Sequence, residues 1–275
     1  MNVLRADFRA AIVTAFAMTV LGGVAAEAAE GARADLVNRS VLRVCADPAN
    51  VPFSSDDPAK PGFENKIAEI VADELGGIQV EYTWFPQATG FIRRTLFAKA
   101  CDLVIGYAQG DEMVLNTNHY YRSAYALVYK KGGELDGVVE LSDDRLKGKR
   151  VGVVAGSPPA TILNRVGLMH TAKPYQLFVD RRYDSPTELM LKDLRSGDID
   201  VGILWGPNAG YFSSQDGKDD IAVVPLLKEG RHPPMAFRIT MGVRQSDTQW
   251  KRELNDIIKK RQGDIDQVLL DFNVP

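Results

Sequence analysis

Hydrophobic and polar positions follow one plan twice along the chain. Residues 96–107 (LFAKACDLVIGY) and 194–206 (LRSGDIDVGILWG) each pass from the end of a helical pattern through a small polar turn to an acidic residue. A buried run follows in both, and it stops at Gly or an aromatic residue. Each copy lies downstream of a further strand-like segment, at 41–53 and at 149–160. Two α/β units of similar plan predict two lobes, and we expect a binding cleft between them.

The first unit is predicted to alternate strands and helices. The near-continuous apolar run at 41–47 is typical of a parallel strand that is covered on both faces. Apolar residues then recur at helical spacing until Gly76 and Gly77 end the helix. The predicted elements are, in order, a strand at 41–47, a helix from Glu64 to Leu75, a strand at 79–85, a helix from Gly90 to Ala100 and a strand at 101–107.

The second unit repeats this alternation, and two segments connect it with the first. Its predicted elements are strands at 150–155, 176–180 and 200–205 with helices near 159–168 and 186–195. A strand at Tyr125 to Tyr129 precedes the unit, and a segment at 221–227 and a strand at 237–243 follow it. The last helices, at 248–262 and 264–272, have no partner strands of their own, so we expect them to return to the first lobe.

These elements predict where the chain divides. Lobe 1 is expected to comprise residues 30–125 and 241–275, and lobe 2 residues 126–240. The chain would cross between them near 125–130 and 236–240, and paired crossing strands can serve as a hinge.

Residues 1–29 have the pattern of a secretory signal peptide. Arg5 and Arg9 precede an apolar run that ends in small residues, and cleavage is compatible with Ala26, Ala28 or Ala29. No later apolar run is long enough for a second membrane span, so no stable membrane anchor is expected. The pattern therefore predicts an exported, soluble, periplasmic protein.

Composition narrows the function classes. The 33 basic and 36 acidic residues are interspersed and sum to a net charge of −3, which does not indicate a nucleic-acid partner. The two cysteines, Cys45 and Cys101, fall in strand-like runs of the first unit, and an oxidising compartment favours a disulfide between them. Two free thiols or a metal pair remain the alternatives.

Several motifs resemble one family when they are taken in order. They are ADPANVPF, Gly62-Phe63-Glu64, CDLVIG, Tyr120-Tyr121, LKGKRVGVVAGS, GDIDVGILWG, MGVRQSD and IDQVLLDFNVP. Together they resemble the bacterial periplasmic solute-binding proteins of family 3, which are receptors for amino acids. The resemblance implies an α/β fold of the two-lobed periplasmic binding protein type (type II), with two hinge crossings and an interlobe cleft.

A narrower resemblance is also present. The segments VCADPANVPFS, GFENKIAEIVADELG and YTWFPQATGFIRRTL and the sequence Tyr-Tyr-Arg-Ser are similar to the accessory proteins of quinoprotein methanol dehydrogenases, the MoxJ/XoxJ family. This resemblance implies a PQQ-dependent methanol dehydrogenase, or its cytochrome, as the partner.

The residues that hold an amino acid in family 3 receptors are replaced in this chain. No Arg occurs in residues 107–119, where the receptors place the bidentate clamp for the ligand carboxylate. Pro158 and Pro159 follow Ser157, and proline has no N–H to offer a carboxylate. We expect Ser157 to be the N-cap of a helix with Pro158 at its first position. Trp205 stands where the Asp for the ligand ammonium should end the strand.

Aromatic and amide side chains take the place of these charges, so the cleft is expected to bind a large, partly apolar ligand or a protein segment. The candidate cleft residues are Asn50, Trp84, Gln87, Tyr107, Tyr121, Arg122, Ser157, Trp205 and Arg238. Tyr121 is preferred to Tyr120 because alternation lets only one of the two face the cleft.

Neither catalysis nor a cofactor is indicated. His119, His170 and His232 lack the spacing of a metal site, and no nucleophile is grouped with a base and an orienting residue. The first hypothesis is thus a non-catalytic protein that assists or activates the dehydrogenase by binding a segment of it. The alternative is the receptor of an importer for a small molecule that is not an amino acid.

Overall fold

The computed structural model describes residues 35–275 except Lys218 and Arg231. The predicted signal peptide lies outside the described residues. The strands are β1 (Val41–Ala46), β2 (Ala49–Asn50), β3 (Ser54–Ser55), β4 (Gln79–Trp84), β5 (Leu103–Ala108), β6 (Leu115–Lys130), β7 (Val151–Val154), β8 (Ala172–Tyr175), β9 (Val201–Trp205), β10 (Ile221–Pro225) and β11 (Ala236–Val243). The helices are α1 (Phe63–Glu74), α2 (Phe91–Arg94), α3 (Pro158–Arg165), α4 (Pro186–Ser196), α5 (Gly206–Ser213) and α6 (Thr248–Asp271).

The doubled α/β plan is present in the sheet. Its order is β4-β1-β5-β11-β6-β9-β7-β8, with β10 also paired to β6. In the first unit β1 lies between β4 and β5, and both pairings are parallel. In the second unit β7 lies between β8 and β9, again in parallel. The first strand of each unit is therefore the middle strand, so the two units also share their strand order.

The strands β6 and β11 connect the two units. The first half of β6 pairs antiparallel with β11, and its second half pairs with β9 and β10. The sequence predicted only Tyr125 to Tyr129 of this 16-residue strand. The part that was missed carries Asn116 and His119, which are typical of a polar loop but pair with β11 in the structure.

Hydrophobic residues collect on both sides of this connection. In the first unit Phe63 and Ile67 of α1 pack with β1, β5 and Trp250 of α6, and all three side chains are at most 1% exposed. The return of α6 to the first unit was expected from the sequence. Two further clusters cover the second unit, one around Leu163 and one around Met190.

Two predicted elements differ from the structure. The helix predicted from Gly90 to Ala100 is only the four-residue α2, which ends at Arg94 with Thr95 (φ −116°, ψ −79°) as its C-cap; turns follow as far as Lys99. The strand predicted at 176–180 is also wrong. Its neighbour β7 has four residues and is fully paired with β8, so the chain after Tyr175 has no partner strand and forms a loop.

One helix was missed. The sequence did not predict α5, whose Gly206 and Pro207 are typical of a turn, although Pro is well accommodated in the first turn of a helix. The two predicted C-terminal helices are present within α6, where they meet at a kink at Arg261 (φ −106°, ψ 15°), close to the predicted boundary.

A disulfide and a buried charge network hold the first unit together. Cys45 and Cys101 form the expected disulfide, with a Cα–Cα distance of 5.4 Å. Next to it, Arg244 donates hydrogen bonds to the Cys101 carbonyl at 2.6 Å and to Asp102 at 2.5 Å, and it is ion-paired with Asp247. Burial opposes ionisation of Asp102, but hydrogen bonds from Arg43 and Arg244 lower its pKa below the ordinary value. The network therefore keeps a carboxylate in the core.

Candidate functional site

A large cleft lies between the two units, at the carboxyl ends of their strands. Its volume is about 1590 Å³. The first unit contributes the turn after β1 and the start of α1, the second contributes α4, α5 and the loop after β8, and the crossing strands contribute Tyr121, Tyr125 and Phe237. Open α/β sheets bind ligands at this edge.

Trp205 is the centre of an aromatic group in the cleft. It ends β9 opposite Tyr125 of β6, and the two rings lie edge to face at 5.3 Å. The Phe237 ring of β11 also lies edge to face with Trp205, with ring centroids 5.7 Å apart. A side chain from each crossing strand thus packs against Trp205, the residue predicted to take the place of the receptor aspartate.

The opposite side of the cleft carries a carboxyl group without a partner. Glu64 is the second residue of α1, and its backbone N–H donates to the Phe53 carbonyl at 2.8 Å. Burial, and then the nearby charge of Asp47, raise the pKa of Glu64 to about 8. In the described part of the chain, no side-chain hydrogen bond or ion pair is made by this carboxyl group.

An ion pair spans the cleft beside Glu64. Arg181 comes from the loop after β8, which we call the rim loop (residues 176–185), and its Nη1 lies 3.0 Å from Asp47 Oδ2. Asp47 follows β1, is 5% exposed, and also accepts hydrogen bonds from the backbone N–H groups of Ala49 and Gln87. The first unit thus presents a carboxylate fixed by backbone donors, and the second unit supplies its cation.

Ser157 is the N-cap of α3 and Pro158 is its first residue, as expected. The Ser157 hydroxyl does not cap the helix but donates to the Val154 carbonyl at 2.6 Å. With a proline at the first helical position and the hydroxyl proton engaged, this helix start has few donors for a ligand carboxylate.

The other candidate residues divide into two groups. Asn50, Gln87 and Tyr121 line the cleft, and the Asn50 amide donates to Gln87 Oε1 at 3.0 Å. Four candidates lie outside its lining, namely Trp84, Tyr107, Arg122 and Arg238.

Strand geometry explains why these four lie elsewhere. Trp84 stacks on Tyr82 two residues earlier on the same side of β4, with ring centroids 4.5 Å apart. Tyr107 lies between Gly106 and Ala108, which line the cleft, so alternation along β5 turns its side chain away, and its hydroxyl donates a hydrogen bond to Asp111. Arg122 and Arg238 are opposite each other in the β6–β11 register, and both side chains are exposed.

Sequence reasoning missed the charged residues of the cleft. Glu64 was included in the predicted helix α1 and in the Gly62-Phe63-Glu64 motif, but no cleft role was inferred from it. Arg181 fell at the end of the wrongly predicted strand. The only signal for Glu64 was its position directly after Gly62 and Phe63, at a helix start near the cleft.

Among the described residues no group of three or more His, Cys, Asp or Glu side chains could hold a metal ion. None of the described helices has the length and apolar character that crossing a membrane requires.

Comparison with known proteins gives close relatives over most of the chain. Protein MoxJ of Methylorubrum extorquens is 31% identical over 264 residues, which cover 90% of this chain and 85% of that protein. The crystal structure of periplasmic binding protein XoxJ from Methylobacterium extorquens AM1 is 44% identical, with a TM-score of 0.71 over 85% of this chain and 98% of its own.

The crystal structure of MxaJ from Methlophaga aminisulfidivorans is 26% identical, with a TM-score of 0.71 over 85% of this chain and 99% of its own. No protein-family model matches the chain. The two solved structures confirm the fold predicted from the sequence, that of a periplasmic binding protein.

Proposed function

Since this chain belongs to the MoxJ family of periplasmic binding-fold proteins, we propose that it is a non-catalytic periplasmic protein that assists or activates a PQQ-dependent methanol dehydrogenase. It does so by binding a segment of that enzyme in its cleft. The segments that resemble accessory proteins encoded beside such enzymes support the dehydrogenase as the partner. The residues that line the cleft support the binding of a polypeptide segment there.

The observation that carries the proposal is the size of the cleft together with the loss of amino-acid anchors. Pockets for small ligands are typically about 300–1,000 Å³, whereas this cleft measures about 1590 Å³. Trp205, Tyr125 and Asn50 are among the aromatic and amide side chains that line it. Trp205 stands where an amino-acid receptor is expected to place the Asp for the ligand ammonium. A polypeptide segment supplies both the volume and the mixed polarity that such a groove can accommodate.

The rim loop offers a second contact for a protein partner. Several of its side chains line the cleft, whereas Phe178 and Tyr183 point to solvent with exposed fractions of 71% and 81%. Large aromatic side chains that are exposed beside a groove are typical of protein-binding surfaces.

We further propose that the units move as the lobes predicted above, about the crossings near 125–130 and 236–240. β6 and β11 are the strands shared between the units. The Asp47–Arg181 ion pair would be formed or broken as the cleft changes width.

The experiment measures binding of the dehydrogenase, with and without PQQ, to the immobilised protein, and the enzyme activity recovered when PQQ is added. We expect binding and a higher recovered activity. The double variant F178A/Y183A should bind at least about tenfold more weakly, because interface aromatics each contribute on the order of 1–2 kcal/mol. L270A is the matched control, since Leu270 is 66% exposed on α6 and lies outside the cleft lining. If the dehydrogenase does not bind and its recovered activity does not change, the proposal is wrong.

A receptor for a small solute is the second candidate, and the ion pair across the cleft favours it, because such contacts hold closed receptors together. Ligand binding to the folded state raises the melting temperature according to RT ln(1 + [L]/Kd). A thermal-shift screen of alcohols, organic acids and PQQ tests this function, and a hit without dehydrogenase binding would favour it over the first.

A further inference from the structure

We propose that Glu64 and the aromatic side chains around it form a subsite for an organic cation, a guanidinium or an ammonium group on an aliphatic stem. The identity of the molecule that carries the cation rests on the proposed function. With that function, the cation is an arginine or lysine side chain of the enzyme segment bound in the cleft.

The position of the Glu64 carboxyl group is built into the fold. The Glu64 N–H is held by the Phe53 carbonyl, and Asn65 completes a capping interaction with Gly62 at the start of α1. The carboxyl group then lies directly against the backbone of Gly106 in β5. A Cβ at Gly106 would lie only 1.8 Å from Glu64 Oε1, so glycine is needed to admit the carboxyl group at this place.

Among the residues that the structure describes, Glu64 has no cation of its own at this end of the cleft. Asp47 and Glu64 are both acidic, and Arg181 is ion-paired with Asp47. The two influences on the pKa of Glu64 are burial and Asp47, and both raise it, so no cation of the described chain compensates this group. Arg181 demonstrates that a guanidinium can reach this part of the cleft from the other side.

The walls suit a cation with an aliphatic stem. Phe53, Tyr121, Trp205 and Phe237 all line the cleft, and aromatic faces attract ammonium and guanidinium groups. Lysine and arginine also bury their methylene groups along apolar surface while the charged end reaches a carboxylate. A neutral side chain of the same shape would leave Glu64 without a partner.

Binding at this subsite is coupled to a proton. The empty site holds a protonated Glu64 at neutral pH, and a cation binds the ionised form, so binding releases the proton. If only the ionised form binds, the affinity for a permanent cation rises about fifty-fold from pH 6 to pH 8, because the pKa of about 8 sets the ionised fraction. Above pH 9 the affinity levels off.

The other charged and titratable groups near this end of the cleft are Asp47 after β1, Asp56 and Lys60 in the loop before α1, Tyr82 on β4, Tyr120 and Tyr121 on β6, and Arg181 in the rim loop. Burial raises the pKa of all three tyrosines above the ordinary value, so they stay neutral in this range. The fifty-fold change is therefore assigned to Glu64.

The test titrates the full-length folded protein with arginine that is capped at both termini, by calorimetry between pH 6 and pH 9. Capped citrulline, which is neutral and nearly isosteric, is the ligand control, and butylguanidinium tests a free cation. We expect capped arginine to bind at least tenfold more tightly than capped citrulline at pH 8. Binding should release about half a proton at pH 8 and close to one proton at pH 7 and below, because the pKa of about 8 sets the protonated fraction of the empty site. E64Q should remove this preference and the pH dependence, and G106A should weaken binding by displacing the carboxyl group.

E69Q is the matched protein control, because Glu69 lies on the same helix, is exposed, and is ion-paired with Lys66. Equal binding of arginine and citrulline, or an E64Q variant that is folded and still prefers arginine, would overturn the proposal. Tighter binding of butylguanidinium than of capped arginine would indicate a free solute as the source of the cation.

Failure of the subsite and failure of the proposed function have different signatures. If E64Q captures the dehydrogenase as well as the unchanged protein does, the subsite is wrong and the partner stands. If capped arginine binds with the Glu64 signature but the dehydrogenase does not bind, the subsite stands and the proposed partner is wrong.

Discussion

Replacing Glu64 by glutamine removes a titratable group from the cleft and leaves its size almost unchanged. The folded state raises the pKa of Glu64 to about 8, from an ordinary value of 4.5. Below pH 4.5 the carboxyl group is protonated in both states and has no effect on stability. Between pH 4.5 and 8 the unfolded chain ionises while the folded chain keeps its proton, so the free energy of unfolding falls as the pH rises. Above pH 8 both states are ionised and the loss is complete.

The size of the effect follows from the pKa difference. Each pKa unit corresponds to about 1.4 kcal/mol, so a rise from 4.5 to about 8 gives an upper bound of about 5 kcal/mol. Water that enters the cleft solvates the carboxylate and reduces this value. We expect E64Q to be more stable than the unchanged protein by about 2–4 kcal/mol at pH 9, and by less than about 0.5 kcal/mol at pH 4.

The assay is urea denaturation of both proteins between pH 4 and pH 9, and the relevant quantity is the difference between their free energies of unfolding. Taking the difference cancels the titration of all groups that the variant leaves unchanged. E69Q should give a flat difference within about 0.5 kcal/mol, since exposed ion pairs contribute little. A difference for E64Q that stays flat across the whole range would refute the inference that the fold buries this carboxyl group.

Three further predictions concern stability. Replacing Cys45 and Cys101 together by alanine should lower the free energy of unfolding by about 4 kcal/mol, from the separation of 56 residues; a urea midpoint that is insensitive to this change would contradict it. R244M should lower the free energy of unfolding by about 3–5 kcal/mol, because Asp247, which is 0% exposed, loses its cation. A melting temperature within about 2 °C of that of the unchanged protein would refute this. G62A should lower the free energy of unfolding by about 3 kcal/mol, because its Cβ would lie 2.1 Å from the backbone oxygen of Phe53. An unchanged melting temperature in calorimetry would exclude that clash.

Much of the fold could be predicted because it depends on local patterns. The apolar run of β1 and the helical spacing of α1 are set by residues within a few positions of one another. Elements that depend on distant partners were missed or misplaced. The first half of β6 is a strand because β11 lies beside it, and the segment after Tyr175 is a loop because β7 is too short to pair with it.

The candidate site was predicted in part for the same reason. Trp205 and Ser157 are at the ends of locally recognisable elements, so their positions at the cleft edge follow from strand and helix boundaries. Arg122 and Arg238 were expected near the crossings, and they lie there, but the β6–β11 register points both side chains outward. The direction in which these two side chains point depends on how the strands pair, and neither segment alone predicts it.

The sequence by itself determined the doubled α/β unit and the partners of the disulfide, and it predicted the absence of the amino-acid anchors, because each of these depends on residue type and short-range spacing. Only the tertiary structure decided which charges meet in the cleft. Glu64 and Asp47 come from successive segments of the first unit, and Arg181 comes from more than 110 positions further along the chain. Their proximity is set by the way the crossing strands join the two units, and the chemistry of the cleft depends on that proximity.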